Sequence, residues 1–226
     1  MSVSSRSSSI GFMEIIEREI TKNSIEKIIN PKVHCKIKPT LAEEEIKRVL
    51  DQFDMSKFHA FRNWIVTRLL LDTGMRIGEC LSLLPENVDL PHKSILAVTT
   101  KNKEQRYVYF SSKMAQDIKS WLRYRDRYND SPFLFPTTTG TQLEIRNFEK
   151  ALRDAGKRAR VEIHPHQLRN NFAKYYILNG GDWFTLSRIL GHSSVEVTQK
   201  AYLDFTDNEI SKKYQRHSPL MGMDKL

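Results

Sequence analysis

Apolar residues recur along this chain at two different periods, and the change from one to the other divides it into elements. A first amphipathic stretch runs from about Met13 to Ile29 and ends at Pro31. Pro39-Thr40-Leu41-Ala42-Glu43 announces a second helix, with Thr40 able to cap it and Glu43, three residues on, able to bond back to the cap amide. Phe61, Trp64, Ile65 and Leu69 fall at helical spacing up to Gly74, a residue suited to ending a helix. A short helix follows from about Arg76 to Leu83 and stops before Pro85. The period then drops to two. Ser94–Thr100 (SILAVTT) is rich in β-branched residues, Arg106–Phe110 (RYVYF) alternates, and the polar KNKEQ between them makes a hairpin tip. Beyond it, helices are predicted to start near Ser111, Leu143, His166, Asp182, Ser194 and Asp207, with Gly or Pro between them. No internal repeat is present. The pattern predicts a mainly α fold with a small antiparallel β-sheet (α+β).

Composition narrows the class. With 39% hydrophobic and 28% charged residues, the chain reads as a soluble globular protein, and 226 residues suffice for one large domain or a domain with an appendage. The pattern changes near residue 40. Residues 1–38 read as an N-terminal tail, short helix or linker, partly disordered, and 39–226 as the globular domain with a C-terminal helix. No run of about 18 apolar residues exists, so no membrane partner is expected. The Ser-rich MSVSSRSSSIGF start lacks the long apolar core of a secretory signal. Cys35 and Cys80 form no CxxC pattern and cannot make a zinc quartet; two reduced thiols and a cytoplasmic location are the expectation. Net charge shifts the picture further. At +9, the surface favours a polyanion, and nucleic acid is the commonest one.

Five segments group polar residues unusually. In Thr73-Gly74-Met75-Arg76-Ile77-Gly78-Glu79, Arg76 stands at a helix start and Glu79, one turn later, can brace its guanidinium. Taken alone, this pair reads equally as a surface ion pair. The hairpin carries Lys101, with Lys103 and Arg106 close by. In Pro165-His166-Gln167-Leu168-Arg169, His166 and Arg169 are three apart on one face near a helix N-terminus, where they can contact one phosphate oxyanion. His164 adds an HxH pattern, but no further ligands at zinc spacing accompany it, so no metal is expected. His192 follows a helix-ending glycine in Leu190-Gly191-His192-Ser193-Ser194, and Tyr202 lies in Gln199-Lys200-Ala201-Tyr202-Leu203.

In order along the chain, TGMRIGE, the hairpin lysine, PHQLR, LGHSS and the downstream tyrosine resemble the motifs of the tyrosine recombinase, or phage integrase, family. The match spans about residues 40–215, and TLAEEEIKRVL and DWFTLSRILG are similar to that family too. The resemblance implies the DNA breaking-rejoining enzyme fold of a tyrosine recombinase catalytic domain. It also implies a site-specific strand transferase acting through a 3′-phosphotyrosyl bond, which conserves the phosphodiester energy and needs neither metal, other cofactor nor ATP. Arg76, Arg169 and His192 are then the phosphate-binding residues, His166 the proton-transfer group, Lys101 (or Lys103) the general acid and Tyr202 the nucleophile, with Glu79 supporting Arg76. The chemistry suits the residue types. Attack on a phosphodiester builds negative charge on nonbridging oxygens, and fixed guanidiniums can fork onto them. A phenol, with an unperturbed pKa of about 10, needs cations and a proton acceptor nearby to attack at neutral pH.

The chain departs from the family pattern in places. Asn170 follows Arg169 where many relatives carry a second histidine, and ten residues separate His192 from Tyr202 in a spacing that varies between relatives. Tyr214 lies beyond the matched segment. Relatives usually carry an upstream helical domain that clamps the opposite face of the DNA, and residues 1–38 are too short for one, which reads as a catalytic fragment or a reduced arm. The partners implied are double-stranded DNA, further copies of the chain on DNA (dimer to tetramer) and accessory DNA-bending proteins. Two other readings share the fold: a type IB topoisomerase-like relaxing enzyme and a catalytically inactive DNA-binding regulator.

Overall fold

The computed structural model describes residues 40–98, 105–128, 130–192, 194–202, 205 and 207–217. All of them belong to the unit spanning residues 37–226. The expected helix at Met13–Ile29, the N-terminal tail and Cys35 lie outside the described residues.

The order of elements is α1 (Glu43–Leu50), α2 (Phe58–Thr73), α3 (Ile77–Leu81), β1 (Val88–Asp89), β2 (Ser94–Val98), β3 (Gln105–Tyr109), α4 (Ser112–Arg125), α5 (Ile145–Ala159), α6 (Pro165–Leu178), α7 (Trp183–Leu190), α8 (Val195–Tyr202) and α9 (Asp207–His217). The sheet runs β1-β2-β3, antiparallel throughout, with Ser94 opposite Tyr109 and Val98 opposite Gln105. The class is the expected one, helical with a small antiparallel sheet. Strand β1 is the addition: two residues after Pro85 gave no alternation to read, and pairing with β2 defines them.

Helix α2 is the hub. Its buried residues surround it (Ala60, Ile65, Val66, Leu69 and Leu70 among them), as expected for a helix packed on all sides. It packs against α3, α4, α5 and α6. Its buried polar groups are satisfied locally: Thr67 and Thr73 hydroxyls donate to the carbonyls of Asn63 and Leu69, at 2.8 and 2.7 Å. Arg62, also buried, donates to the Pro136 carbonyl at 2.8 Å and to Asn63 Oδ1, and burial pushes its pKa down to about 10. Trp121 of α4 lies at the centre, fully buried against Phe58, Phe61 and Phe135, its indole N–H on the Leu134 carbonyl at 2.8 Å. Helix α5 shows the clearest stripe, burying Phe148, Leu152, Ala155 and Ala159.

Two starts differ from the sequence reading. Thr40 does not cap α1. The N-cap is Ala42, whose amide donates to Glu45 Oε2 at 2.9 Å. Buried Asn171 explains the shift, because its amide group bonds both the N–H and the carbonyl of Leu41 (2.9 and 2.6 Å) and holds that residue out of the helix. The short helix after Gly74 spans only Ile77–Leu81, with Arg76 as its N-cap residue rather than its first turn.

Gly74 ends α2 with φ +64°, and a Cβ there would lie 2.2 Å from the Phe172 ring. Only glycine meets both the left-handed backbone and the close approach of α6. A smaller apolar cluster of Ala173, Ile177, Leu186 and Leu190 joins α6 to α7, with Phe172, Tyr176, Trp183 and Phe205 around it. The functional residues gather along the seam between this cluster and the main core.

Candidate active site

The seam is organised by the end of α7. This helix starts at its Asp182 cap, whose carboxylate accepts the Thr185 amide at 2.8 Å, and ends at Gly191 in the left-handed conformation. The last carbonyls of a helix have no partner within it and carry partial negative charge. Here three consecutive ones each take an arginine from a different part of the chain. Ile189 accepts from Arg106 Nε at 2.9 Å, Leu190 from Arg169 Nη2 at 2.7 Å and Gly191 from Arg76 Nη2 at 3.4 Å.

Arg169 sits one turn into α6 and is buried. Its other terminal nitrogen donates to the Gly74 carbonyl at 2.6 Å, which ties α6 to the turn that presents Arg76. Nη2 also lies 3.1 Å from His192 Nε2. A guanidinium can only donate, so Nε2 is the acceptor and the ring proton is on Nδ1, 2.8 Å from the Thr198 hydroxyl. His192 is thereby fixed in orientation and tautomer between α6 and α8.

Arg76 is the accessible cation, its side chain 44% exposed against 3% for its partner Glu79. Glu79 accepts the Arg76 amide through Oε2 at 2.9 Å and Arg76 Nη1 through Oε1 at 3.1 Å. Its main partner is Arg106, which forks onto both oxygens at 2.7 Å. Burial alone would raise the Glu79 pKa, but the Arg106 and Arg76 hydrogen bonds outweigh it and hold the carboxyl below the ordinary carboxylate range. One negative charge faces two guanidiniums, so the group stays net positive.

Of the residues singled out from sequence, the fold brings Arg76, Glu79, Arg169 and His192 into one network. His166 is exposed in the first turn of α6, and no side-chain hydrogen bond joins it to the described residues; Arg169 bonds to Gly74, Leu190 and His192. Lys101 and Lys103 lie outside the described residues, between the paired ends Val98 and Gln105. Tyr202 is the last residue of α8, and its side chain also lies outside the description. Arg106 and Thr198 are the residues the sequence reading did not place. Alternation in RYVYF was the available signal for Arg106: Tyr107 and Tyr109 are exposed, so Arg106 shares the inward face with buried Val108. Cys80 is buried and free, and burial pushes its thiol pKa up. Among the described residues, no three His, Cys, Asp or Glu side chains are grouped to hold a metal ion.

Fold and motif order together define the catalytic domain of a tyrosine site-specific recombinase. The phage integrase family model matches residues 39–209, and the chain belongs to that family. Among curated relatives, tyrosine recombinase XerC of Bacillus pumilus is 30% identical over 212 residues, covering 90% of this chain and 69% of the relative. The crystal structure of XerA recombinase superposes with a TM-score of 0.71 at 30% identity, covering 81% of this chain and 66% of that one. XerH site-specific recombinase, solved bound to its palindromic difH substrate in a post-cleavage complex, shares the fold with a TM-score of 0.68 at 23% identity, over 85% of this chain and 56% of that one. The chain thus spans about two thirds of the curated relative's length.

Proposed function

We propose that this domain cleaves one strand of duplex DNA by in-line attack of the Tyr202 hydroxyl on a scissile phosphate. The step forms a 3′-phosphotyrosyl bond and releases a 5′ hydroxyl, and the reverse attack by a 5′ hydroxyl of the exchanged strand rejoins the DNA. The observation that carries the reading is the convergence of Arg76, Arg169 and His192 on the end of α7.

Each residue then has a physical task. Arg76, exposed and bound to Glu79 through one side-chain nitrogen, exchanges its long Gly191 bond for the nonbridging oxygens as charge develops there. Arg169, fixed by two carbonyls, adds a second, preorganised positive charge. His192 accepts from Arg169 through Nε2, which holds that guanidinium in place for the same oxyanion. His166, exposed at the start of α6, takes up the phenol proton. Lys101 protonates the leaving 5′ oxygen. Position 202 lies one helical turn beyond Thr198, which touches His192, so the nucleophile's helix is tied to the phosphate site. That XerH is solved on its difH substrate, and the Tn1549 transposon integrase of the same fold on transposon right end DNA, supports DNA as the substrate. Residues 39–226 serve as the catalytic domain and work as a homo-oligomer of two to four copies on DNA, with accessory bending proteins assisting. The expected setting is the cytoplasm; among the described residues no helix is long and apolar enough to cross a membrane.

A suicide duplex nicked just beyond the scissile phosphate tests the reading, because loss of the short 5′-hydroxyl fragment traps the covalent adduct. The native chain should form a protein–DNA band stable to denaturant, and Tyr202→Phe should abolish it while retaining DNA in a gel shift. A band that survives the substitution would point to another nucleophile. Its absence from the native chain on substrates that relatives cleave would end the proposal.

A further inference from the structure

Arg106 has no task in the chemistry above, yet it is held far more tightly than Arg76. Its side chain is 14% exposed. All three of its nitrogens are engaged by protein: two on the Glu79 carboxylate at 2.7 Å and Nε on the Ile189 carbonyl at 2.9 Å. Its stem lies directly beneath Gly191, where an added Cβ would come within 3.2 Å of Arg106 Cδ and Nε. With its two-nitrogen fork taken up by the Glu79 carboxylate, Arg106 has no fork left for a phosphate. It acts on the groups around it.

Glu79 Oε1 accepts from both Arg106 Nη1 and Arg76 Nη1, and the Arg76 bond is the longer, 3.1 Å against 2.7 Å. A buried carboxylate lacking Arg106 would have only Arg76 left as a cation, and would draw its exposed side chain into a two-pronged pair. That arrangement takes from the phosphate the nitrogens Arg76 needs for it. We infer that Arg106 is a positioning residue: it saturates Glu79, so that Arg76 gives the carboxylate a single side-chain nitrogen and keeps Nε and Nη2, the latter only on a long 3.4 Å bond to the Gly191 carbonyl, for the scissile phosphate, while the Ile189 bond of Arg106 fixes the helix end that carries His192. This rests on the strand-cleavage reading of the site.

Four proteins test it: the native chain, Arg106→Gln, Arg106→Lys and the double variant Arg106→Gln with Glu79→Gln. Single-turnover cleavage is measured on the suicide duplex with an ordinary scissile phosphate and with a neutral methylphosphonate in its place. Arg106→Gln should slow cleavage of the phosphate by about tenfold to a hundredfold, less than the roughly hundredfold to thousandfold loss when an oxyanion donor is removed outright, with DNA retention nearly unchanged. Its deficit should shrink to about threefold on the methylphosphonate, which develops less negative charge. The double variant should recover about tenfold over Arg106→Gln, since a neutral amide at position 79 no longer captures Arg76. Arg106→Lys, which keeps charge but loses the fork, should fall between. A deficit equal on both substrates, or a double variant no faster than the single one, would overturn the inference and leave Arg106 a structural residue. Calorimetric titration with orthovanadate reads the same arrangement without turnover. Arg106→Gln should bind it about tenfold more weakly and the double variant should regain affinity; equal affinity in all four proteins overturns the inference. An absent adduct with the native chain, by contrast, sinks the cleavage reading and leaves the vanadate result to judge Arg106.

Discussion

The most constrained side chain of the site is a carboxylate, Glu79, and its constraint has a direction in pH. Its folded pKa lies below the ordinary value of 4.5, held there against burial by Arg106 and Arg76. A depressed carboxylate contributes stability above its unfolded pKa and loses it as pH falls through the folded one. Native protein should therefore lose urea resistance below about pH 4.5 more steeply than Glu79→Gln, which has no proton to take up there. Equal acid slopes for the two would show that Glu79 carries no such linkage. Arg169 is constrained differently, through neutral carbonyls and a ring nitrogen. Arg169→Ala strands the Gly74 and Leu190 carbonyls at a buried seam, costing about 1–3 kcal/mol for an unsatisfied group, visible as a lower denaturation midpoint. Cleavage by this variant should fall further than its stability explains, by about a hundredfold or more under conditions where it remains folded.

Among the elements, the joints hold the site and the helices carry the joints. Gly74 is the sharpest case. Gly74→Ala adds a Cβ 2.2 Å from Phe172 at φ +64°, so α2 and α6 must part or the backbone must shift. The expected cost is about 1–3 kcal/mol of stability, together with a cleavage defect because the Arg76 turn moves with it; thermal melting and the trapped-adduct assay read the two effects separately. Helix periods, Gly74 and Gly191 as stops and the alternation of RYVYF were legible in the sequence because each is local. What was not legible is instructive. The α1 start depends on Asn171, 130 residues away, and no capping pattern near Thr40 encodes that contact. Strand β1 is defined by its partner, not by its own residues. In sequence Arg106 is one of three neighbouring cations with Lys101 and Lys103; its place on the inward face of β3 is set by the fold.

For the whole molecule, a formal charge of +9 makes DNA binding salt-dependent. Raising salt from about 50 to about 200 mM should weaken duplex affinity on the order of a hundredfold or more, a slope that fluorescence anisotropy at several ionic strengths measures. A flat profile would mean that phosphate contacts contribute little. Fold and enzyme class were readable at this scale because five motifs stand in order over most of the chain, which no single motif could have shown. The assembly of the site was not readable, since it depends on main-chain atoms. Carbonyls appear in no sequence pattern.

Those carbonyls have a consequence for variation. The three arginines grip positions 189, 190 and 191 by backbone oxygens that every amino acid supplies. Position 189 should therefore accept many residue types without disturbing the grip. Removing or adding one residue within α7 would instead rotate the terminal oxygens by about 100° around the helix axis, out of reach of all three at once. This stretch should be permissive to exchange of letters and intolerant of any change in their number.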